Sequence, residues 1–162
     1  IVKWPVGMST TVPSGAKIEH PVELRDFLPT FIELAGGLVP PDMDGKSLLK
    51  LVQGQDNEWR KYLDMEHATC YSPDNYWCAL TDGKIKYIWN FHTGKEELFD
   101  LRKDPKELVE CSGKRTYAAL LKEMRQAMVD HLAERGETFV KDGKLVVREK
   151  TMLYSPNYPQ KK

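Results

Sequence analysis

The side chains best suited to chemistry flank one polar loop, where Glu66 and His67 end an apolar run and Trp77 opens the next. A carboxylate and an imidazole exchange hydrogen bonds with the hydroxyl groups of a ligand, and an indole ring stacks on a flat ligand face. The structural alternative is a histidine whose hydrogen bonds are satisfied inside the fold, beside a tryptophan in the core. The sequence leaves both interpretations open.

The remaining reactive groups show no metal or nucleophile pattern. Cys70, Cys78 and Cys111 lack Cys-x-x-Cys spacing, and their odd number leaves at least one thiol without an internal partner. We expect buried or half-buried free thiols, because an isolated cysteine usually packs as a small apolar residue. We expect His92, at a turn, and His131, on a helix flank, to be solvated.

A predicted antiparallel meander between Tyr76 and Pro105 positions the loop. Asp82-Gly83 tolerates the positive φ angles of a tight hairpin turn, and Thr93-Gly94 makes a second turn. Between these turns apolar side chains alternate along the chain, which is typical of a strand with one buried face. A third strand is expected at 97–101 and an earlier one at 61–68. The alternating apolar residues are Ile85, Tyr87, Trp89 and Phe91.

A helix at 114–135 is expected to cover the apolar face of this sheet, because its apolar residues recur every three or four positions. A hairpin-like pair follows around Asp142-Gly143. The predicted fold class is therefore α+β, with about four antiparallel strands packed on a long C-terminal helix. The residues of the apolar stripe are Tyr117, Leu120, Leu121, Met124, Met128 and Leu132.

The first third of the chain reads differently. A short apolar strand is predicted at 1–5, and helical spacing of apolar residues predicts a helix over 22–36. Asp26 is the expected N-cap, and Gly36-Gly37 the expected C-terminal stop. The polar stretch at 54–58 suggests a boundary between two structural units.

Charge and hydropathy narrow the class of protein. The 162 residues include 24 basic and 24 acidic side chains, so no net field favours nucleic acid or an anionic membrane. No apolar run approaches the roughly 20 residues needed to span a bilayer. The chain opens on Ile-Val-Lys-Trp-Pro without an initiating methionine, so we expect it to be a fragment of a longer protein.

Several short motifs, which follow one another along the chain in the same order as in the family, closely resemble the C-terminal part of the sulfatase family of the alkaline phosphatase superfamily. Where that family usually has Asn-Leu after the last motif, this chain has Glu110-Cys111. The motifs are Ile-Val-Lys-Trp-Pro at 1–5, Asp26-x-x-Pro29-Thr30 within 21–36, Asp44-Gly45-x-Ser47-Leu48, Lys86-Tyr87-Ile88, Glu97-Leu98-Phe99-Asp100-Leu101 and Asp104-Pro105-x-Glu107.

The resemblance implies a sulfuric ester hydrolase whose N-terminal α/β domain holds a divalent metal, usually calcium, and a formylglycine nucleophile. That nucleophile arises in a Cys/Ser-x-Pro-x-Arg motif. Cys70-Tyr-Ser-Pro-Asp74 has its proline one place late, Cys111-Ser-Gly-Lys-Arg115 has none, and Asp74-Asn75 lies on the wrong side of the Trp-Pro strand to be the family's metal pair. We therefore expect metal and nucleophile upstream of Ile1, and an inactive isolated chain.

The resemblance also assigns parts and partners. Residues 1–56 would be the end of the catalytic α/β domain and 57–162 a C-terminal subdomain that leans over the pocket. Glu66, His67 and Trp77 would contact a sulfated sugar or aryl sulfate beyond its sulfate group. The apolar faces of 1–37 would pack on the rest of the catalytic domain or on a second copy, and a periplasmic, secreted or lysosomal location is favoured. A binding module of the same architecture, or a phosphodiesterase or phosphonate hydrolase of the superfamily, is the alternative.

Overall fold

The computed structural model of the protein describes residue 3 and residues 15–55, 58–67 and 75–149. The chain divides into two compact units, residues 1–63 and 64–162. The predicted strand at 1–5 falls largely outside the described residues. The assignment of 1–56 to a catalytic domain stays a prediction.

The centre of the second unit is a four-stranded antiparallel sheet in the order β1-β2-β3-β4. Its strands are β1 (Leu63–His67), β2 (Trp77–Thr81), β3 (Ile85–Asn90) and β4 (Glu96–Asp100). Each strand lies beside its neighbour in sequence, so short hairpins suffice to connect β2, β3 and β4. The predicted meander is confirmed, with β4 beginning one residue earlier than expected.

Both predicted turns contain a glycine in the left-handed region. Gly83 has a φ of 83°, and Gly94 a φ of 67°. Side-chain oxygens complete the turns: Asp82 Oδ1 accepts hydrogen bonds from the backbone N–H groups of Lys84 and Ile85 at 2.8 and 2.7 Å. At the Gly94 turn Asn90 Oδ1 accepts in the same way from the N–H groups of His92 and Thr93, so each turn combines glycine freedom with a side-chain oxygen that satisfies otherwise unpaired amides.

A helix covers one face of the sheet, as predicted. A 3₁₀ turn at Arg115–Tyr117 leads into α3 (Ala118–Leu132), and a second at Ala133–Arg135 follows it. Burying side chains of this size stabilises a fold by about 1.5–3 kcal/mol each. The alternating residues of β3 and the helix stripe therefore supply the core. The largest side chains with under 2% exposure in this unit are Tyr87, Phe91, Leu98, Met124, Met128 and Leu132.

One polar cluster joins α3 to the sheet. Tyr87 donates a hydrogen bond from its hydroxyl to Glu96 Oε1 at 2.6 Å. Arg125 on α3 grips the same carboxylate with two hydrogen bonds of 2.6 and 2.7 Å. Two-point contact of this kind fixes the rotation of the helix on the sheet. Burial, the largest effect, raises the pKa of Tyr87 and is reinforced by the adjacent Glu96.

Beyond α3 the chain forms the predicted small hairpin, β5 (Val140–Lys141) and β6 (Lys144–Leu145). Asp142 and Gly143 lie at its turn with φ values of 51° and 69°. Two successive left-handed residues are typical of a type I′ turn, for which Asp-Gly is well suited.

In the first unit the predicted helix is α1 (Phe27–Leu34), preceded by a 3₁₀ turn at Leu24–Asp26. Asp26 is the N-cap of α1 by position, as predicted, but its side chain makes no capping hydrogen bond to that helix. The helical segment begins one turn earlier, at Glu23, which forms a capping box with Asp26. Gly36, with a φ of 78°, ends α1 as predicted.

Asp26 is instead a fully buried hub. Arg60 donates two hydrogen bonds to its carboxylate at 2.7 and 2.5 Å. The backbone N–H groups of Lys46 and Glu23 add two more at 2.9 Å each. Burial alone would raise the pKa of this carboxyl, but these hydrogen bonds outweigh it and lower the pKa.

The Asp-Gly-x-Ser-Leu motif docks on this hub. A Cβ at Gly45 would lie 2.0 Å from the backbone oxygen of Arg25, so only glycine fits. Ser47 accepts a hydrogen bond from the Leu49 N–H at 3.3 Å and caps α2 (Leu48–Val52). The Leu48 N–H donates to Thr30 Oγ1 at 2.9 Å. Two motifs recognised in the sequence thus bind one another.

Several apolar residues in and next to α1 are exposed. Leu24 is 81% exposed, Phe31 62% and Leu38 95%. The rings of Phe27 and Phe31 stack at 6.2 Å. An exposed patch of this kind usually marks an interaction surface. We call this patch, with Val22 and Leu28, the α1 face.

Candidate functional site

The end of the sheet brings His67 and Trp77 together. Their ring centroids are 5.7 Å apart and their planes differ by 19°, so the imidazole stacks on the indole. Both side chains are half-buried. The last residue of β1 and the first residue of β2 therefore place two stacked rings at one end of the sheet.

A hydrogen bond fixes the tautomer of His67. Its Nδ1 lies 2.7 Å from the backbone oxygen of Asn75. Because a carbonyl oxygen only accepts, Nδ1 carries the proton and the neutral ring has its lone pair on Nε2. In this tautomer Nε2 can only accept a hydrogen bond.

Glu66 points elsewhere. Successive strand residues face opposite sides of a sheet, so Glu66 and His67 do not converge on one point. The carboxylate receives a hydrogen bond from Arg135, just beyond α3, at 2.6 Å. About a third of each side chain is exposed. An ion pair this accessible contributes about 0–1 kcal/mol, and its main effect is to orient Glu66.

The predicted site residues therefore separate into a pair and a single residue: His67 and Trp77 touch, and Glu66 binds Arg135. Sequence reasoning missed Asn75 and Arg135 as partners. Asn75 contributes only its backbone oxygen, which no side-chain pattern reveals. Arg135 lies 69 positions from Glu66, and nothing in the local sequence links them.

The predictions that His92 and His131 are solvated are wrong. Both are half-buried, and the Nε2 atom of each is buried without a hydrogen-bond partner among the described residues. His92 Nδ1 donates to the backbone oxygen of Arg148 at 2.8 Å. A later segment of the chain thus covers a turn that looks exposed in sequence.

The free thiols are buried as predicted for Cys78 and Cys111, while Cys70 lies outside the described residues. Burial, with a smaller contribution from Glu66, raises the pKa of Cys78 to about 12. Such a thiol stays protonated at neutral pH and is a poor nucleophile. It packs between strand neighbours as an apolar residue.

The Glu-Leu-Phe-Asp-Leu motif has a structural role. Asp100 is 2% exposed. It accepts two hydrogen bonds from Arg102 at 2.8 and 2.9 Å and one from the Tyr117 hydroxyl at 3.1 Å. The Arg102 hydrogen bonds, as the largest effect, hold the pKa of Asp100 well below its usual range. The motif ties the end of β4 to the start of the helical cover.

The Asp-Pro-x-Glu motif closes the same loop. Glu107 accepts hydrogen bonds from Lys86 on β3 at 2.8 and 3.1 Å. Asp104 accepts one from the Val109 N–H at 2.7 Å. Glu110, where the family has Asn, accepts from the Leu98 N–H at 3.0 Å. The departure from the family motif thus keeps a backbone cap on β4.

Within 15–55, 58–67 and 75–149, no group of three or more His, Cys, Asp or Glu side chains is arranged to hold a metal ion. These residues therefore do not build the calcium site that the resemblance places in the N-terminal α/β domain.

The comparison with protein families decides the assignment. The family model described as N-sulphoglucosamine sulphohydrolase, C-terminal, matches residues 1–134. The chain belongs to this family. The resemblance read from short motifs is thereby confirmed, and the hubs at Asp26 and Asp100 give those sulfatase motifs a physical reason.

Individual relatives and solved structures support the same family assignment. An arylsulfatase of Clostridium perfringens is 30% identical over 132 residues, which cover 82% of this chain and 27% of the arylsulfatase. The solved structure of BT4656 in complex with its substrate D-glucosamine-2-N,6-O-disulfate gives a TM-score of 0.58 at 28% identity, covering 67% of this chain and 23% of that one.

A phosphonate monoester hydrolase from Silicibacter pomeroyi also gives a TM-score of 0.58, at 20% identity, over 72% of this chain and 26% of that one. At that identity it shows a shared fold alone. The chain spans about a quarter of the length of these proteins. Among the described residues, no helix is both long and apolar enough to cross a membrane.

Proposed function

We propose that this chain is the C-terminal part of a sulfatase that hydrolyses sulfate esters of sugars or aryl alcohols. The observation that carries the proposal is the family match over residues 1–134. The Clostridium arylsulfatase and the glucosamine disulfate complex support the same reaction class. The phosphonate hydrolase shares the fold alone, so it favours neither the phosphonate alternative nor a non-catalytic binding module.

In this proposal His67 and Trp77 contact the part of the substrate beyond the sulfate. The stacked pair offers a flat apolar surface and a ring nitrogen that accepts a hydrogen bond. Sugar rings present that combination of an apolar C–H face and hydroxyl donors. Glu66 is oriented by Arg135 on the opposite face of the strand, so any hydrogen bond from a substrate hydroxyl to its carboxylate would be separate from the contact with the stacked pair.

The catalytic domain would supply the chemistry that the described residues lack. That domain would hold calcium or another divalent metal, which would neutralise the developing sulfate charge, and a formylglycine, which would supply the nucleophile. Neither is assigned to a residue of this chain. A secreted, periplasmic or lysosomal location is proposed on the family resemblance.

We propose that the catalytic domain packs against the α1 face. Leu24, Leu28 and Phe31 are more than half exposed, although side chains of this type usually lie inside. The 132 matched residues make up 27% of the arylsulfatase, so that relative is about three times as long as this chain, and a large partner surface is expected. In the isolated chain the same face would pair with a second copy, which is visible as a dimer in light scattering and lost in Phe31→Glu.

A sugar titration tests the site. Adding D-glucosamine-2-N,6-O-disulfate to ¹⁵N-labelled chain should shift the Trp77 indole signal and the amides around Asn75. Trp77→Ala should weaken binding about fivefold, because stacking of this kind is worth about 1 kcal/mol. Trp59→Phe, at a tryptophan bonded to Pro21 in the other unit, is the matched control. Equal binding by Trp77→Ala and wild type would refute the site.

A further inference from the structure

The segment after α3 folds back onto the sheet. Residues 136–149, here called the C-terminal strap, include the β5–β6 hairpin. The Val146 N–H donates to the Phe139 oxygen at 2.9 Å and closes the strap on itself. A Cβ at Gly94 would lie 2.8 Å from Val147, so the strap lies tightly against the β3–β4 turn. The family match ends at residue 134, so the strap lies beyond the matched part.

Arg148 is the anchor of the strap. Its backbone N–H donates to the Phe91 oxygen at 2.6 Å, and its own oxygen accepts from His92 Nδ1. Its guanidinium lies 4.3 Å over the Phe139 ring and 5.5 Å from that of Tyr76. It also donates a hydrogen bond to the Tyr76 hydroxyl at 2.5 Å. A guanidinium that stacks and donates at once fixes both of its partners.

Tyr76 connects Arg148 to the candidate site. It is 7% exposed, and its ring packs on Phe91 at 4.5 Å. Its backbone oxygen accepts from the Phe91 N–H at 2.9 Å. Its neighbours in sequence are two partners of His67: Asn75, whose backbone oxygen accepts the hydrogen bond from Nδ1, and Trp77, which stacks on the ring. Whatever holds Tyr76 therefore helps to hold these two contacts of His67.

We propose that Arg148 is a positioning residue for the stacked pair of His67 and Trp77, acting through Tyr76. This inference rests on the proposed function, in which the pair contacts the sugar. The strap thereby becomes part of the substrate site, although it never touches the ligand. Losing the Arg148 side chain should let the Tyr76 backbone shift and separate the two rings.

The test uses three single variants of the full 162-residue chain and one double variant that combines Arg148→Met with Tyr76→Phe. Arg148→Met keeps the length and apolar packing but removes the donor. Tyr76→Phe keeps the ring and removes only the acceptor. Arg125→Met is the matched control, because the Arg125 guanidinium also holds a side chain by hydrogen bonding, but its partner is Glu96. Thermal unfolding of each variant establishes that it is folded.

The first readout needs no ligand. Protons of an imidazole stacked on an indole resonate upfield, and this ring-current shift depends on the ring separation. In Arg148→Met and Tyr76→Phe the His67 ring protons should move downfield by at least half of that shift. In Arg125→Met they should not move. A lost stabilising contact alone leaves this signal in place.

The second readout is affinity for D-glucosamine-2-N,6-O-disulfate. Arg148→Met and Tyr76→Phe should each weaken binding about threefold to tenfold, and the double variant no more than either alone. If wild type binds no sugar but the His67 shift still moves, the positioning role stands and the proposed function fails. Unmoved His67 protons in both folded variants would overturn the positioning role.

Discussion

Replacing Asp26 with asparagine should strongly destabilise the first unit. The carboxylate accepts four hydrogen bonds, two of them from Arg60, and is fully buried. Asparagine offers one oxygen and turns an N–H₂ group toward donors. Breaking one side of a buried ion pair costs about 3–5 kcal/mol. Because the Arg60 side chain is 14% exposed and keeps some water contact, we expect a loss near the lower end, about 3 kcal/mol.

Amide hydrogen exchange measures this locally. The Leu48 N–H, bonded to Thr30 Oγ1, is the reporter because Asp26→Asn leaves its own partner in place. A loss of about 3 kcal/mol should speed its exchange about a hundredfold. Asp44→Asn, at an exposed aspartate of the neighbouring motif, is the control and should change the rate little. Exchange within threefold of wild type in Asp26→Asn would refute the hub.

Three further predictions follow from the same contacts. Gly45→Ala, whose Cβ would meet the Arg25 oxygen, should lower the free energy of unfolding in urea by more than about 3 kcal/mol. The control Gly113→Ala, with open space around the new Cβ, should lower it by less than about 1 kcal/mol. Equal losses would contradict the close approach at Gly45. Cys78, with its pKa raised to about 12 from 9.0, should alkylate at pH 8 about a thousandfold more slowly than in urea, as mass spectrometry of its peptide reports, and rapid native labelling would contradict its burial. The pKa values of Asp26 and Asp100 are lowered from 3.8, so the stability that these carboxylates contribute is present above that pH and lost as the pH falls through the folded pKa values. The urea midpoint of unfolding should therefore stay constant from pH 7 to about pH 5 and decrease at pH values below about 4. A midpoint that is unchanged at pH 2.5 would contradict this.

The elements built on local patterns were predictable from the sequence. Alternation from Ile85 to Phe91 predicted β3, and the Gly83 turn predicted its hairpin partner. The helical stripe ending at Leu132 predicted the cover. In each case the signal and the structure span the same few residues, so the periodicity of the chain is enough.

The polar connections between distant residues were not predictable. The sequence indicated only a helix-capping role for Asp26, because its ion-pair partner Arg60 is 34 positions away and no local pattern links the two residues. Tyr76 and Arg148 are 72 positions apart, and no periodicity reports their meeting. Of the candidate site, the residue types near the loop were identified. The stacking of His67 on Trp77 depends on strand register, which residue types alone do not set.

The most direct test of the proposed function is a chimera. The 27% of the Clostridium perfringens arylsulfatase that this chain matches would be replaced by residues 1–162. Hydrolysis of 4-nitrophenyl sulfate would then be measured with calcium present, beside the isolated chain. We predict turnover by the chimera and none by the isolated chain. A folded chimera without turnover, or an isolated chain that hydrolyses the ester, would contradict the assignment of this chain as the C-terminal part of a sulfatase.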